Sequence, residues 1–257
     1  NGYDVADNDN NPNPPNTNLD HGTHLAGISG AHTNNNTGVA SVGFGISIMP
    51  VKATRDNNFN GTINNAYDGV YYAALNGADV INCSWGSSSF SNTNYNIIQM
   101  AQNQGSIIVA SAGNSNQNLA SNPRYPSCYN GVICVANTTQ SDAKRGSSCY
   151  GSRVDVSAPG SSILSTIPFN NYGTKSGTST LFQVLTVEGI DVFEATRREG
   201  RSLTVPFREV ALLQPPAGVT AARQVPGTRL FVPVRGVLHV WIDPILLLPY
   251  LDPFFRV

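Results

Sequence analysis

Charge is scarce in this chain. Asp, Glu, Lys and Arg make up 12% of its 257 residues, and the formal net charge is -1. No basic stripe is present, which excludes nucleic acid and other polyanions as partners. A long uninterrupted apolar run is also lacking. The most apolar stretch, 237–257, is broken by Asp243, Pro244, Pro249, Asp252 and Pro253. A membrane span needs about 20 largely apolar residues, so none is expected. The opening Asn1-Gly2-Tyr3-Asp4 has none of the features of a signal peptide and reads as a start in mid-domain. Only four cysteines occur: Cys83, Cys128, Cys134 and Cys149. Their spacing lacks the paired CxxC form of a zinc site. Their even number allows two disulfides in any of three pairings, or buried thiols instead; an oxidising compartment is compatible. Asn, Ser and Gly stand where charge is missing, a composition that suits a soluble secreted protein.

Periodicity gives an alternating order of elements. His21–Ala31 is small-residue and helical. Ile46–Lys52 reads as a short strand. Thr62–Asn76 carries Ile63, Ala66, Val70, Ala73 and Ala74 at helical spacing, with Gly77 to stop it. Asp79–Cys83, Ile107–Ala110 and Val132–Ala136 read as strands, and Tyr95–Gln104 as a helix ended by Gly105. Short apolar strands alternating with helices predict an α/β fold, a parallel sheet covered on both faces. Sites in such sheets lie beyond the carboxyl ends of the strands. Polar motifs follow the strands there, at Ser84, Ser111 and Asn137.

Composition breaks near Thr180. Asn is abundant up to Asn171 and absent afterwards, and Lys and Cys vanish too. Residues 1–180 are therefore expected to form one partial domain and 181–257 an unassigned segment. Its pattern is β-rich, with strands expected at Leu181–Val187, Leu203–Val210, Arg229–Val234 and Val237–Ile242.

Three motifs carry chemistry. They are Asp20-His21-Gly22-Thr23-His24-Leu25-Ala26-Gly27, Ala110-Ser111-Ala112-Gly113-Asn114, and Ser176-Gly177-Thr178-Ser179. Acyl transfer from an amide needs a nucleophile, a base to take its proton and donors for the oxyanion. Histidine is the usual base near neutral pH. A serine after Gly-Thr and an asparagine after a glycine turn suit the other two roles. Each motif also has a plainer reading. Ser179 could be a helix cap, Asn114 a turn residue, and His21 a core histidine at a helix start. A metal-binding His pair is disfavoured, since the glutamate of HExxH is missing. His32 and His239 stand alone with no motif.

The three motifs in this order resemble those of the subtilisin-like serine proteases, the subtilases (peptidase S8), and of their thermitase-like members in particular. The resemblance runs from about Asn1 to Ser179. It implies a subtilisin-like parallel sheet flanked by helices and a secreted serine endopeptidase acting on polypeptide. His21 would be the general base, Ser179 the nucleophile and Asn114 the oxyanion donor, with His24 structural. Ser84-Trp85-Gly86 and Ser111-Ala112-Gly113 would bind the extended substrate by strand addition; Trp85 could equally just cover the sheet end. Tyr150–Gly160 resembles a further family stretch. No cofactor is implied for the chemistry. The Asp4, Asp7, Asp9, Asn11, Asn13 loop is similar to a thermitase calcium loop and offers the oxygen ligands that calcium takes; a solvated Asn/Pro loop is the alternative.

Two departures stand out. No Asp-Ser/Thr-Gly motif precedes His21, so the third triad member, an aspartate, is expected to be missing. In subtilisin itself that loss costs about 10⁴-fold in turnover. After Ser179 the family continues into a buried helix of small residues and a proline, whereas Thr180-Leu181-Phe182-Gln183 follows here. A frame change, a chimeric junction or a fused module would give this. The isolated chain is accordingly expected to be poorly stable and nearly inactive, with a non-catalytic, peptide-binding remnant as the alternative function.

Overall fold

The computed structural model describes residues 2–43, 46–58 and 60–178, and the backbone of 233–234 and 237–238. Its centre is a four-stranded parallel sheet of β3 (Val80–Cys83), β4 (Ile107–Ser111), β5 (Ile133–Thr138) and β6 (Val156–Pro159), in that spatial order. Ile107–Ser111 and Ile133–Thr138 are buried at almost every position. Parallel strands covered on both faces read as continuous apolar runs for this reason. Ile98, Ile108, Val109 and Val135 are fully buried and anchor the core. Two helices, α2 (Ala66–Leu75) and α3 (Asn92–Asn103), pack on each other and on β3 and β4. The alternating order expected from periodicity is thus the order found.

The boundaries differ in instructive ways. α3 starts at Asn92 rather than Tyr95, because the Ser91 side chain accepts from the Asn94 N–H and caps it. α2 starts at Ala66 rather than Thr62. Upstream, Asn60 Oδ1 accepts the Thr62 N–H and Asn58 Nδ2 donates to the Thr62 carbonyl. Such side-chain bonds offer the backbone an alternative to helix. Gly77 and Gly105 do follow α2 and α3, both in the left-handed region at φ 78° and 97°. The Ile46–Lys52 strand shrinks to β2 (Val51–Lys52), which pairs in parallel with β1 (Tyr3–Asp4).

Beyond β6 lies an antiparallel hairpin, β7 (Ile163–Ile167) and β8 (Asn171–Lys175). It packs against α1 (His21–Gly30). Of the expected tail strands, Leu181–Val187 and Leu203–Val210 lie outside the described residues. From the other two, β9 (Pro233–Val234) and β10 (Val237–Leu238) are described and pair antiparallel with each other.

All four cysteines carry free thiols, which corrects the disulfide option. Cys83, Cys134 and Cys149 are buried inside strands or beneath loops, and Cys128 is half-buried. Burial pushes the Cys83 thiol up to about 12.

Candidate functional site

Every strand of the sheet delivers its next residues to one edge. Ser84-Trp85-Gly86 follow β3, Ala112-Gly113-Asn114 follow β4, and Gly160 follows β6. Fully buried Asn137 in β5 binds this edge together. Its Oδ1 accepts the Gly160 N–H at 3.1 Å, and the Gly160 carbonyl accepts the Gly177 N–H at 2.9 Å. The Ser176-Gly177-Thr178 motif is thereby tied to the ends of β5 and β6.

The decisive contact is one residue further along. Asn114 Oδ1 accepts both the Thr178 N–H at 2.9 Å and the Thr178 hydroxyl at 3.1 Å. Thr178 is fully buried, while Asn114 is exposed. With its oxygen turned inward to Thr178, the amide presents Nδ2, a donor, to the outside. Gly113 makes the bend at φ 99°, which a β-carbon would strain. Ser179 follows Thr178 in sequence and lies outside the described residues.

The histidine motif reaches the same region through the hairpin. His24 is fully buried; its Nε2 lies 3.0 Å from the Ile163 carbonyl and 3.1 Å from that of Gly173. Two carbonyl partners require a proton on Nε2, so Nδ1 is the bare nitrogen, and it has no partner. Ser165 and Thr166 donate their hydroxyls to the His24 and Thr23 carbonyls. Space for this seating comes from Gly27, where a β-carbon would collide with Thr166 Oγ1 and Ser165 Oγ.

His21 is the first residue of α1 and is exposed as a whole residue, with protein crowding its imidazole. Its pKa lies below the ordinary imidazole value. Desolvation by the surrounding protein is the main cause, Lys175 adds to it, and Asp20 opposes it. Lys175 also pairs with Asp20 at 2.7 Å. Only two residues, Ser176 and Gly177, separate Lys175 beside His21 from Thr178 on Asn114, a span of at most about 11 Å of chain. One short segment therefore joins the histidine end of α1 to the asparagine loop.

Between the strand ends lies a cleft of about 290 Å³. Ser84, Trp85 and Gly86 form one wall; Ser111, Gly113 and Asn114 form the other. Trp85 lines the cleft and also meets Tyr67 edge-on at 4.9 Å over the core. Ala112 is fully buried behind the wall.

The acidic loop comes together only in part. Asp4 and Asp9 exchange backbone hydrogen bonds, which curls the loop. Asp4 and Asp7 converge with Asp56, which the sequence reading did not include. Asp9 Oδ1 instead accepts the Asn11 N–H, and Asn11 Oδ1 accepts from Asn13. The donor set is all oxygen, as a hard cation requires. Lys52 competes for it, binding Asp4, Asp56 at 2.8 Å and Asp7 at 3.3 Å.

Sequence reasoning missed Thr178, Lys175, Lys52 and Arg124. Thr178 sits inside the quoted serine motif and was within reach. Lys175 and Arg124 meet partners far along the chain, and Lys52 does so at Asp4 and Asp7, although its pairing with Asp56 four residues on is local.

The Subtilase family model (peptidase S8) matches residues 2–180. Thermitase of Thermoactinomyces vulgaris is 44% identical over 178 residues, 69% of this chain and 61% of thermitase. The halolysin-like extracellular serine protease Nep of Natrialba magadii is 35% identical over the same length, 32% of that protein. Among solved structures, a cold-adapted subtilisin-like serine proteinase superposes with a TM-score of 0.62 at 33% identity. That match covers 72% of this chain and 64% of the other. The chain spans less than two thirds of the length of each of these three proteins.

Proposed function

This chain belongs to the subtilase family, and from that membership we propose that it supplies the catalytic face of a secreted serine endopeptidase. Ser179 Oγ attacks the peptide carbonyl carbon while its proton passes to His21. The oxyanion is held by Asn114 Nδ2 and the Ser179 N–H. The intermediate collapses, the C–N bond breaks, and His21 returns the proton to the leaving amine. Water then hydrolyses the acyl-enzyme by the same route. The substrate lies extended along Ser84-Trp85-Gly86 and Ser111-Ala112-Gly113.

The observation that carries this reading is the pair of bonds from Thr178 to Asn114. They link two motifs 64 residues apart and aim the amide donor outward, beside the residue that precedes Ser179. The lowered pKa of His21 adds support, since it keeps the ring neutral, as a base must be, near pH 7. Secretion is supported by relatives such as the extracellular protease of Natrialba magadii. That the family match ends at residue 180 supports treating 181–257 as separate from this domain.

In the full-length protein, Asn114→Leu is expected to lower kcat by about 10²–10³ with little change in KM. That range is subtilisin's own value for its oxyanion asparagine, carried over within the family. A serine-directed phosphonate should label Ser179 and nothing in Ser179→Ala. Labelling that survives Ser179→Ala, or its absence from the parent with no cleavage of casein, would sink the catalytic reading. The loop from Asp4 to Asn13, with Asp56, is read as a calcium site on its all-oxygen donors. Calcium at about 1 mM should then raise the melting temperature, and a chelator should reverse the rise.

A further inference from the structure

Arg124 stands on the wall of the cleft, a cation that no carboxylate answers among the described residues. The ion pairs described involve Lys52 and Lys175 only. One Nη2–H donates to the Gly86 carbonyl at 3.2 Å. Nε is buried and has no hydrogen-bond partner. The stem crosses Gly113, where a β-carbon would lie 2.8 Å from Cδ and Nε, so the glycine makes room for the arginine. Guanidinium has five N–H donors, and a single bond to Gly86 leaves the fork largely unused. Its remaining neighbours on the walls, Ser84, Ser111, Ser115 and Trp85, are neutral.

We infer that this cleft takes the carboxylate side chain of a substrate residue, with Arg124 as the specificity-determining group. The inference rests on the reading of the site given above. Asn114 on the rim would grip the scissile carbonyl oxygen, so the side chain nearest the cleft is that of the residue contributing this carbonyl. A carboxylate there meets a planar fork made for two-point contact. Glutamate reaches further than aspartate into about 290 Å³. A lysine side chain at the same position would face a like charge.

The test has two arms. In the first, the chain is titrated with acetyl-Ala-Ala-Ala-Glu-amide and its Gln counterpart, read by the fluorescence of Trp85 and checked with Trp85→Phe. This arm needs no turnover. The Glu peptide is expected to bind about 10-fold tighter or more, the size of one charge-assisted hydrogen bond. The difference should vanish in Arg124→Leu and shrink with added salt. In the second, the full-length protein is assayed on the matching p-nitroanilides ending in Glu, Gln, Leu and Lys. The same Glu-over-Gln ratio is expected in kcat/KM, with Lys poorest, and Arg124→Glu should invert the Glu and Lys order. Equal binding of Glu and Gln peptides, or a preference that survives Arg124→Leu, would overturn the inference. Phosphonate labelling of Ser179 separates the failures. A labelled protein without the preference loses this inference alone, while an unlabelled one that still prefers Glu keeps the cleft and loses the catalysis.

Discussion

Lys52→Met is expected to cost about 3–5 kcal/mol of folding stability, the usual result of stripping one partner from a buried ion pair. The figure comes from Asp4. Its side chain is 1% exposed and that of Lys52 8%. The other two partners, Asp7 at 30% and Asp56 at 50%, are wet enough that their pairing adds little. Asp4 Oδ1 keeps its bonds from the Ala6 and Asp7 N–H groups, so the loss falls on Oδ2, left charged and buried. With an m-value of about 2 kcal/mol/M, the urea midpoint should fall by about 1.5–2.5 M. The assay is urea unfolding followed by far-UV circular dichroism, with a chelator present so that no cation replaces the ammonium. Adding Asp4→Asn to Lys52→Met removes the orphaned charge and should recover half the loss or more. pH gives an independent check. Burial alone would lower the Lys52 pKa, but its bonds to Asp4, Asp56 and Asp7 outweigh this and raise it. That contribution is whole below about pH 10.4, the unfolded value, and is lost as pH climbs through the raised folded value. Asp7 is lowered, chiefly by the Asp56 N–H; its contribution holds above about pH 3.9 and fades as pH falls. Lys52→Met should therefore lack the alkaline loss. A midpoint unchanged in Lys52→Met, or a double variant no better than the single one, would refute the reasoning.

Lys175→Met removes a charge that lowers the His21 pKa and frees Asp20, which raises it. The acid limb of kcat/KM in the full-length protein should move to higher pH, where a purely structural loss would lower the rate at every pH. Gly27→Ala gains about 1 kcal/mol of helix propensity, but overpacking against Ser165 and Thr166 costs about 1–3 kcal/mol. Those hydroxyls are held by α1 carbonyls, so a net drop in melting temperature is expected. Iodoacetamide should spare Cys83 in the native protein, since its thiol is fully buried, whereas unfolding without reductant should release four titratable thiols.

Much of this architecture was legible because its signals are local. β-branched runs mark β4 and β5, glycines end α2 and α3, and each quoted motif sits just past a strand or at a helix start. What stayed hidden depends on distance or on polarity. The β8 strand, Asn171-Tyr172-Gly173-Thr174-Lys175, is too polar to show alternation; it is held by pairing with β7 and by its seat on α1. The Lys52–Asp4 pair spans 48 residues and the Arg124–Gly86 bond 38. No window of sequence contains either. The acidic loop shows a related limit, because counting oxygens along a loop says nothing of Lys52 and Asp56, which meet Asp4 and Asp7 from elsewhere in the chain. Ser91 shows a local case, since its side chain caps α3 at Asn94 N–H while the apolar period alone puts the helix start three residues late.

The stretch from Lys175 to Thr178 has a mechanical consequence. It is braced at one end by an ion pair beside the imidazole and at the other by hydrogen bonds to the carboxamide, and it continues directly from a hairpin clamped to the helix behind. The two groups thus share one strut. A change at the distant hairpin tip, around Phe169 and Asn170, would be transmitted to both at once, and it would alter their spacing before it altered either one's chemistry.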